Sequence, residues 1–244
     1  MRDLELRRVV ITAIILAVFF GLGVGFVAYT QQKTADQIEL NRQAVLLGQI
    51  MAVLGRETHD NNPAEDAFVL PDPQALNLGE PVLGPDAQIP QGPLSAEARE
   101  RAMAAGQIGF RAREAGRVTA VAIPVVTHRG YSGDIRLLVG VDADLTLTGV
   151  RVIEQRETPG LGDKIEIEKT DWIRGFTGRR LGDPPIEDWA VKKDGGVFDQ
   201  FTGATISPRA VVEAVEDTLL YVREHRRWLF DQSARDQREE PDDE

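Results

Sequence analysis

The residues with the clearest chemical potential lie in the run Phe198-Asp-Gln-Phe-Thr-Gly-Ala-Thr-Ile-Ser-Pro208. It sets the hydroxyl of Thr205 on a turn of small residues, Gly203 and Ala204, just ahead of a helical pattern. Ser207 suits an N-cap, and Pro208 suits the first helical position, where a missing N–H costs nothing. A helix start offers unpaired N–H groups and partial positive charge, so it can seat an anion. A hydroxyl beside such a seat fits a phosphate, either bound or esterified. The same residues also describe a capped turn with no ligand.

Two further glycine loops could serve a ligand. One is Gly130-Tyr131-Ser132-Gly133, and the other is Glu157-Thr158-Pro159-Gly160-Leu161-Gly162. Glycine lets backbone approach a flat ligand closely, and its N–H can meet carbonyls and ring nitrogens. Neither loop has the G-x-G-x-x-G or G-x-x-x-x-G-K-[ST] spacing of a dinucleotide or ATP site. Gly130–Gly133 also lacks the G-x-S-x-G spacing of a nucleophile elbow. Glu157 and Asp163 could be paired as acid and base, but their spacing around a Pro-Gly turn specifies no geometry, and no catalytic residue is assigned.

Composition narrows the classes. A net charge of -11, from 39 acidic against 28 basic residues, argues against a nucleic-acid partner. Cysteine is absent, which rules out disulfides, thiolate metal sites and cysteine-held iron–sulfur clusters. His59, His128 and His225 are far apart and show no ligand spacing, so no metal site is expected.

The elements that must position these loops follow from the patterning. Val9–Tyr29 carries no charge and, as a helix at ~1.5 Å per residue, would reach about 30 Å, enough for a bilayer core. Arg2, Arg7 and Arg8 precede it, which keeps the N-terminus in the cytoplasm and exports the rest. A cleavable signal peptide is the competing reading, although its apolar region is shorter and its A-x-A-like site is missing. Gly21 and Gly25 form a G-x-x-x-G face for another membrane helix.

The expected organisation is a cytoplasmic N-terminus (1–8), a transmembrane anchor (9–30), a juxtamembrane helix with an irregular Pro-rich stretch (31–95), a folded domain (96–230) and a disordered acidic tail (231–244). The juxtamembrane stripe runs through Ile38, Leu40, Ala44, Leu47, Ile50 and Leu54. Strands are expected at 108–112, 117–127, 135–141 and 145–153, joined by turns at Glu114-Ala115-Gly116 and Asp142-Ala143-Asp144 into an antiparallel meander. A helical patch at 170–176 and a short strand at 189–192 follow. The last helix runs from Pro208 to about Phe230, with Val211, Val215, Leu219 and Val222 as its apolar stripe. The sum is an α+β fold, a mostly antiparallel sheet with flanking helices on a membrane stalk.

These features together resemble the G subunit of the Rnf-type ion-translocating electron-transport complex and, more distantly, the C subunit of the sodium-pumping NADH:quinone oxidoreductase. The resemblance spans nearly the whole chain. It is carried by the anchor, by Gly130–Gly133, by Glu157-Thr-Pro-Gly-Leu-Gly-Asp-Lys-Ile165 and by Asp194-Gly-Gly. It ends on Asp199-Gln-Phe-Thr-Gly-Ala-Thr205, which matches the flavinylation pattern D-x-x-[ST]-G-A-T.

The resemblance implies FMN joined through its phosphate to Thr205 by a separate flavin transferase. It makes Thr202, Gly203, Ala204 and Ser207 the attachment turn. Glu157, Thr158, Gly160, Leu161 and Gly162, with Tyr131 and Ser132, are the expected walls of the flavin site, and Leu161 and Tyr131 can pack on the ring. Asp199 is expected to serve recognition by the transferase, because a carboxylate beside a phosphate is repulsive. The implied role is a covalent-FMN electron carrier of the bacterial inner membrane. It would work among other subunits that couple ferredoxin/NAD electron transfer to ion translocation. A membrane-anchored flavin sensor and a non-redox scaffold are the alternatives.

Overall fold

The computed structural model describes residues 11, 13, 16–27, 29–30, 45, 47–55, 59–79, 101–102 and 105–231. They fall into two units, Met1–Leu46 and Leu47–Glu244. In the first unit the described residues are helical, and nearly all are exposed. Thr30 Oγ1 donates back to the carbonyls of Phe26 and Val27 at 3.0 and 2.9 Å. Among the described residues no helix is long and apolar enough to cross a membrane. The expectations for residues 1–8, for Ile38, Leu40 and Ala44, and for the tail beyond Asp231 lie outside the described residues.

The second unit is built on a five-stranded antiparallel sheet in chain order. Its strands are β1 (Ala67–Val69), β2 (Ile108–Glu114), β3 (Arg117–Thr127), β4 (Ile135–Asp142) and β5 (Leu147–Glu154). The meander β2 to β5 is the one expected from alternation and turn residues. Ala115 and Gly116 close the first hairpin with φ of 48° and 80°, the left-handed pair of a type I′ turn.

Three expectations need correction. The sheet reaches back to β1, inside the stretch read as irregular, so the folded core begins before Ala96. Three residues among Pro, Asn and Asp show no period, and only the pairing of Phe68 with Gly109 reveals them as a strand. The strand expected from Leu145 starts at Leu147, because the Asp142 carboxylate accepts the N–H groups of Asp144 and Thr146 at 2.9 and 2.8 Å and shapes a turn. Residues 189–192 form no strand. Two 3-10 turns, Ile186–Asp188 and Lys192–Asp194, flank a single bridge from Val191 to Phe198.

A long helix, Ile206–Glu224, packs on one face of the sheet. Its stripe of Val211, Val215, Leu219 and Val222 is fully buried with Val139 and Val141 of β4 and Ile123 of β3. Each such side chain contributes about 1.5–3 kcal/mol by leaving water. The helix breaks at His225, and a short helix, Arg226–Phe230, follows. The opposite face of the sheet is covered by the helical segment 47–54, whose Ile50, Val53 and Leu54 are buried. Thr148 Oγ1 donates to the Val53 carbonyl.

Candidate functional site

The long helix begins two residues earlier than its sequence suggests. Thr205 is the N-cap, already helical at φ -87° and ψ -26°, and its carbonyl accepts the Arg209 N–H at 3.2 Å. Ser207 is therefore not the cap. It lies in the first turn, buried at 1 %, and its hydroxyl donates to Glu157 Oε2. The Thr205 side chain makes no capping hydrogen bond. The Thr205 hydroxyl thus stands at the helix start, with Thr205 itself as the boundary residue.

The turn ahead of it is tightly specified. Ala204 N–H donates to the Phe201 carbonyl at 3.0 Å, and Gly203 takes a φ of 81°, which a side chain there would strain. Thr202 and Gly203 are exposed, while Ala204 and Thr205 are half-buried. Aromatic residues hold the turn from below. Phe198 stacks on Phe176 with ring centroids 4.7 Å apart, and Phe201 meets Trp172 edge-on at 5.4 Å. Trp172 Nε1 donates to the Asp199 carbonyl at 2.8 Å. Sequence reading missed Phe198, Phe201, Trp172 and Phe176 as positioning residues. The three-residue spacing of Phe198 and Phe201 around a turn was the available signal.

The three loops singled out in the sequence come together at one buried carboxylate. Glu157, 4 % exposed, accepts the N–H of Ser132 at 2.9 Å and of Tyr131 at 3.3 Å, besides the Ser207 hydroxyl. The expected wall residue is therefore an internal tie. Thr158 and Gly160 are exposed, and the Thr158 carbonyl accepts the N–H groups of Leu161 and Gly162, both at 3.1 Å. Gly162 is buried where a Cβ would come within 2.9 Å of the Glu157 side chain. Asp163, also buried, has Lys169 at 3.6 Å from one oxygen.

Ion pairs tie the periphery. Arg129 reaches Glu213 of the long helix at 2.6 Å, and that bond raises the guanidinium's pKa. Asp194 accepts two bonds from Arg209 at 2.6 and 2.9 Å, which hold its carboxyl below the usual range. Asp199 is exposed and pairs with Lys192 at 2.5 Å. It stays close to the turn without touching Thr205's helix start through any hydrogen bond described.

Among the described residues from Leu47 onward, six large apolar side chains are exposed, and three of them are Tyr131, Leu161 and Ile206, at 69, 40 and 41 %. Each belongs to one of the three tied segments. Leu161 lies beside the turn, within 3.6 Å of where a Cβ on Gly203 would stand. Exposed apolar side chains on loops tied to a helix start suit contact with a flat ring whose phosphate sits at that start.

A model of the FMN-binding domain matches residues 130–220, so the chain carries a domain of that class. The match spans all three loops and most of the long helix. The G subunit of the ion-translocating oxidoreductase complex of Vibrio vulnificus is 40 % identical over 217 residues, covering 89 % of this chain and 90 % of that one. The protein of the same name from Pseudomonas aeruginosa is 40 % identical over 224 residues, with coverages of 92 and 93 %. The chain belongs to this G-subunit family. A crystal structure of the C subunit of the Na(+)-translocating NADH-quinone reductase from Parabacteroides distasonis superposes with a TM-score of 0.49 at 20 % identity, over 79 % of this chain and 96 % of that one.

Proposed function

We propose that this chain is the FMN-bearing electron-carrier subunit of an Rnf-type ion-translocating oxidoreductase complex, with the flavin esterified through its phosphate to Thr205. The observation that carries the reading is the placement of Thr205. Its hydroxyl stands at the N-terminus of a 19-residue helix, makes no capping bond, and has the exposed Leu161 side chain beside its turn. A phosphodiester there would place one negative charge at the helix start, near the first-turn N–H groups of Ile206 and Ser207.

FMN supplies the redox chemistry, accepting and passing electrons. The protein supplies attachment, orientation and cover. Tyr131, Leu161 and Ile206 offer apolar contact to the ring, and the Thr202-Gly203-Ala204 turn leaves the attachment point accessible to a flavin transferase. Asp199, exposed and close to the turn, is the candidate recognition residue for that enzyme. Residues 9–30 would anchor the chain in the inner membrane, with the N-terminus cytoplasmic and the flavin domain outside. Other subunits of the complex would carry electrons between ferredoxin and NAD and couple them to ion movement.

The test is mass spectrometry of protein purified from membranes of cells containing the transferase. The peptide holding Thr205 should carry the mass of one FMN, and an unmodified peptide would overturn the reading. Thr205→Ala should abolish in-gel flavin fluorescence while changing stability by less than about 0.5 kcal/mol, because no capping bond is lost. Co-purification with other membrane proteins of the complex separates a carrier from a solitary flavin sensor.

A further inference from the structure

Glu157 is the most heavily committed polar side chain near Thr205. Its two oxygens take three donors from two separate segments, the Tyr131 and Ser132 amides and the Ser207 hydroxyl. The backbone N–H of Glu157 is itself bonded to Gln155 Oε1, so the carboxylate is fixed at its root. Glycine makes the assembly possible. A Cβ on Gly130 would stand 2.9 Å from Glu157 Oε1, and one on Gly162 would stand 2.9 Å from Oε2. The carboxylate also lies against the first turn of the long helix through Ser207, where negative charge is favoured.

We propose that Glu157 is a positioning residue for the flavin site. It acts through Ser207 to fix the helix start that carries Thr205, and through the Tyr131 and Ser132 amides to fix the loop that carries the Tyr131 ring. This rests on the FMN reading above. A carboxylate is required because both of its oxygens accept. In Glu157→Gln one of them becomes an NH2 group that must face an amide N–H, so at least one donor loses its acceptor whichever way the amide is turned. Ser207→Ala removes only the arm to the helix.

The full-length protein and both variants are co-expressed with the flavin transferase, and three quantities are read. The first is the rate at which the Thr205 peptide gains the FMN mass. The second is the circular dichroism of the flavin absorption bands, which reports a fixed ring environment. The third is amide hydrogen exchange at Tyr131 and Ser132. Glu157→Gln should slow flavin attachment about tenfold, the size of one lost hydrogen bond to a charged acceptor. It should also weaken the flavin bands and speed exchange at the two amides. Ser207→Ala should slow attachment with those amides still protected, and the double variant should show less than the product of the two effects, since both act on the hydrogen-bond network of one carboxylate.

Attachment at the wild-type rate with unchanged flavin bands in Glu157→Gln overturns the proposal. Should that variant lose its far-ultraviolet signal, Ser207→Ala decides alone, and wild-type behaviour there overturns the proposal equally. A wild-type Thr205 peptide without FMN sinks the functional reading, and this inference with it. A flavinylated wild type with indifferent variants sinks only the role of Glu157.

Discussion

Two regions of the domain use glycine to bring segments together, and they do so to opposite ends. Beneath the helical segment 47–54, Gly140 and its cross-strand partner Gly149 leave a saddle into which the backbone of Val53 settles. The neighbours Ile50, Val53 and Leu54 are then buried, so this contact hides apolar surface. Around Thr205, Gly130 and Gly162 make room instead for the polar side chains of Glu157 and Ser207. There the inside of the contact is polar, and the apolar side chains Tyr131, Leu161 and Ile206 face solvent. The first region has the arrangement expected of a core. The second inverts it, leaving apolar side chains exposed where the proposed flavin would cover them.

The contrast can be broken most forcefully at the saddle. Gly140→Ala would push a Cβ to 2.8 Å from the Val53 carbonyl carbon, against backbone that cannot step aside. It should cost about 2–3 kcal/mol and lower Tm on the order of 5–10 °C. An unchanged melting curve would show that the segment is not seated there. At the site the same kind of experiment should come out the other way. Tyr131→Ser and Leu161→Ser remove exposed apolar groups, so stability should stay within about 0.5 kcal/mol. If these side chains contact the flavin as proposed, its emission should change instead. A stability loss without a flavin effect would make these two side chains ordinary packing.

The smallest effect concerns the ion pair of Asp194 with Arg209 in the first turn of the long helix. The bond lowers the carboxyl's pKa in the folded state, so its stabilisation is present above the unfolded pKa and is lost as pH falls through the folded one. Asp194→Asn should therefore lower Tm slightly at neutral pH and leave it unchanged in strong acid. Thermal melts at the two pH values check the sign, and an equal loss at both would assign the effect to packing.

Much of this was legible in the residues. Alternation and turn chemistry located β2 to β5, and the spacing of Val211, Val215, Leu219 and Val222 located the buried face of the long helix. These are local signals, repeated over enough residues to stand above noise. β1 escaped because three residues carry no period and become a strand only by pairing with β2, some forty positions on. Ser207 was misplaced for a related reason. Its type fits a cap, but its hydroxyl is claimed by a residue 50 positions away.

The sequence by itself determined the Asp199–Thr205 motif, the family, the order of the main strands and Thr205 as the residue to test. These depend on residue type and on spacing within a few positions. Only the tertiary structure decided that Thr205 occupies the N-cap position, that Glu157 binds the three loops from inside, and which apolar side chains are left facing water. Those depend on which distant groups meet. A buried carboxylate and an exposed one, Glu157 and Asp199, look alike in a sequence, and the donors brought against each by the fold give them different work.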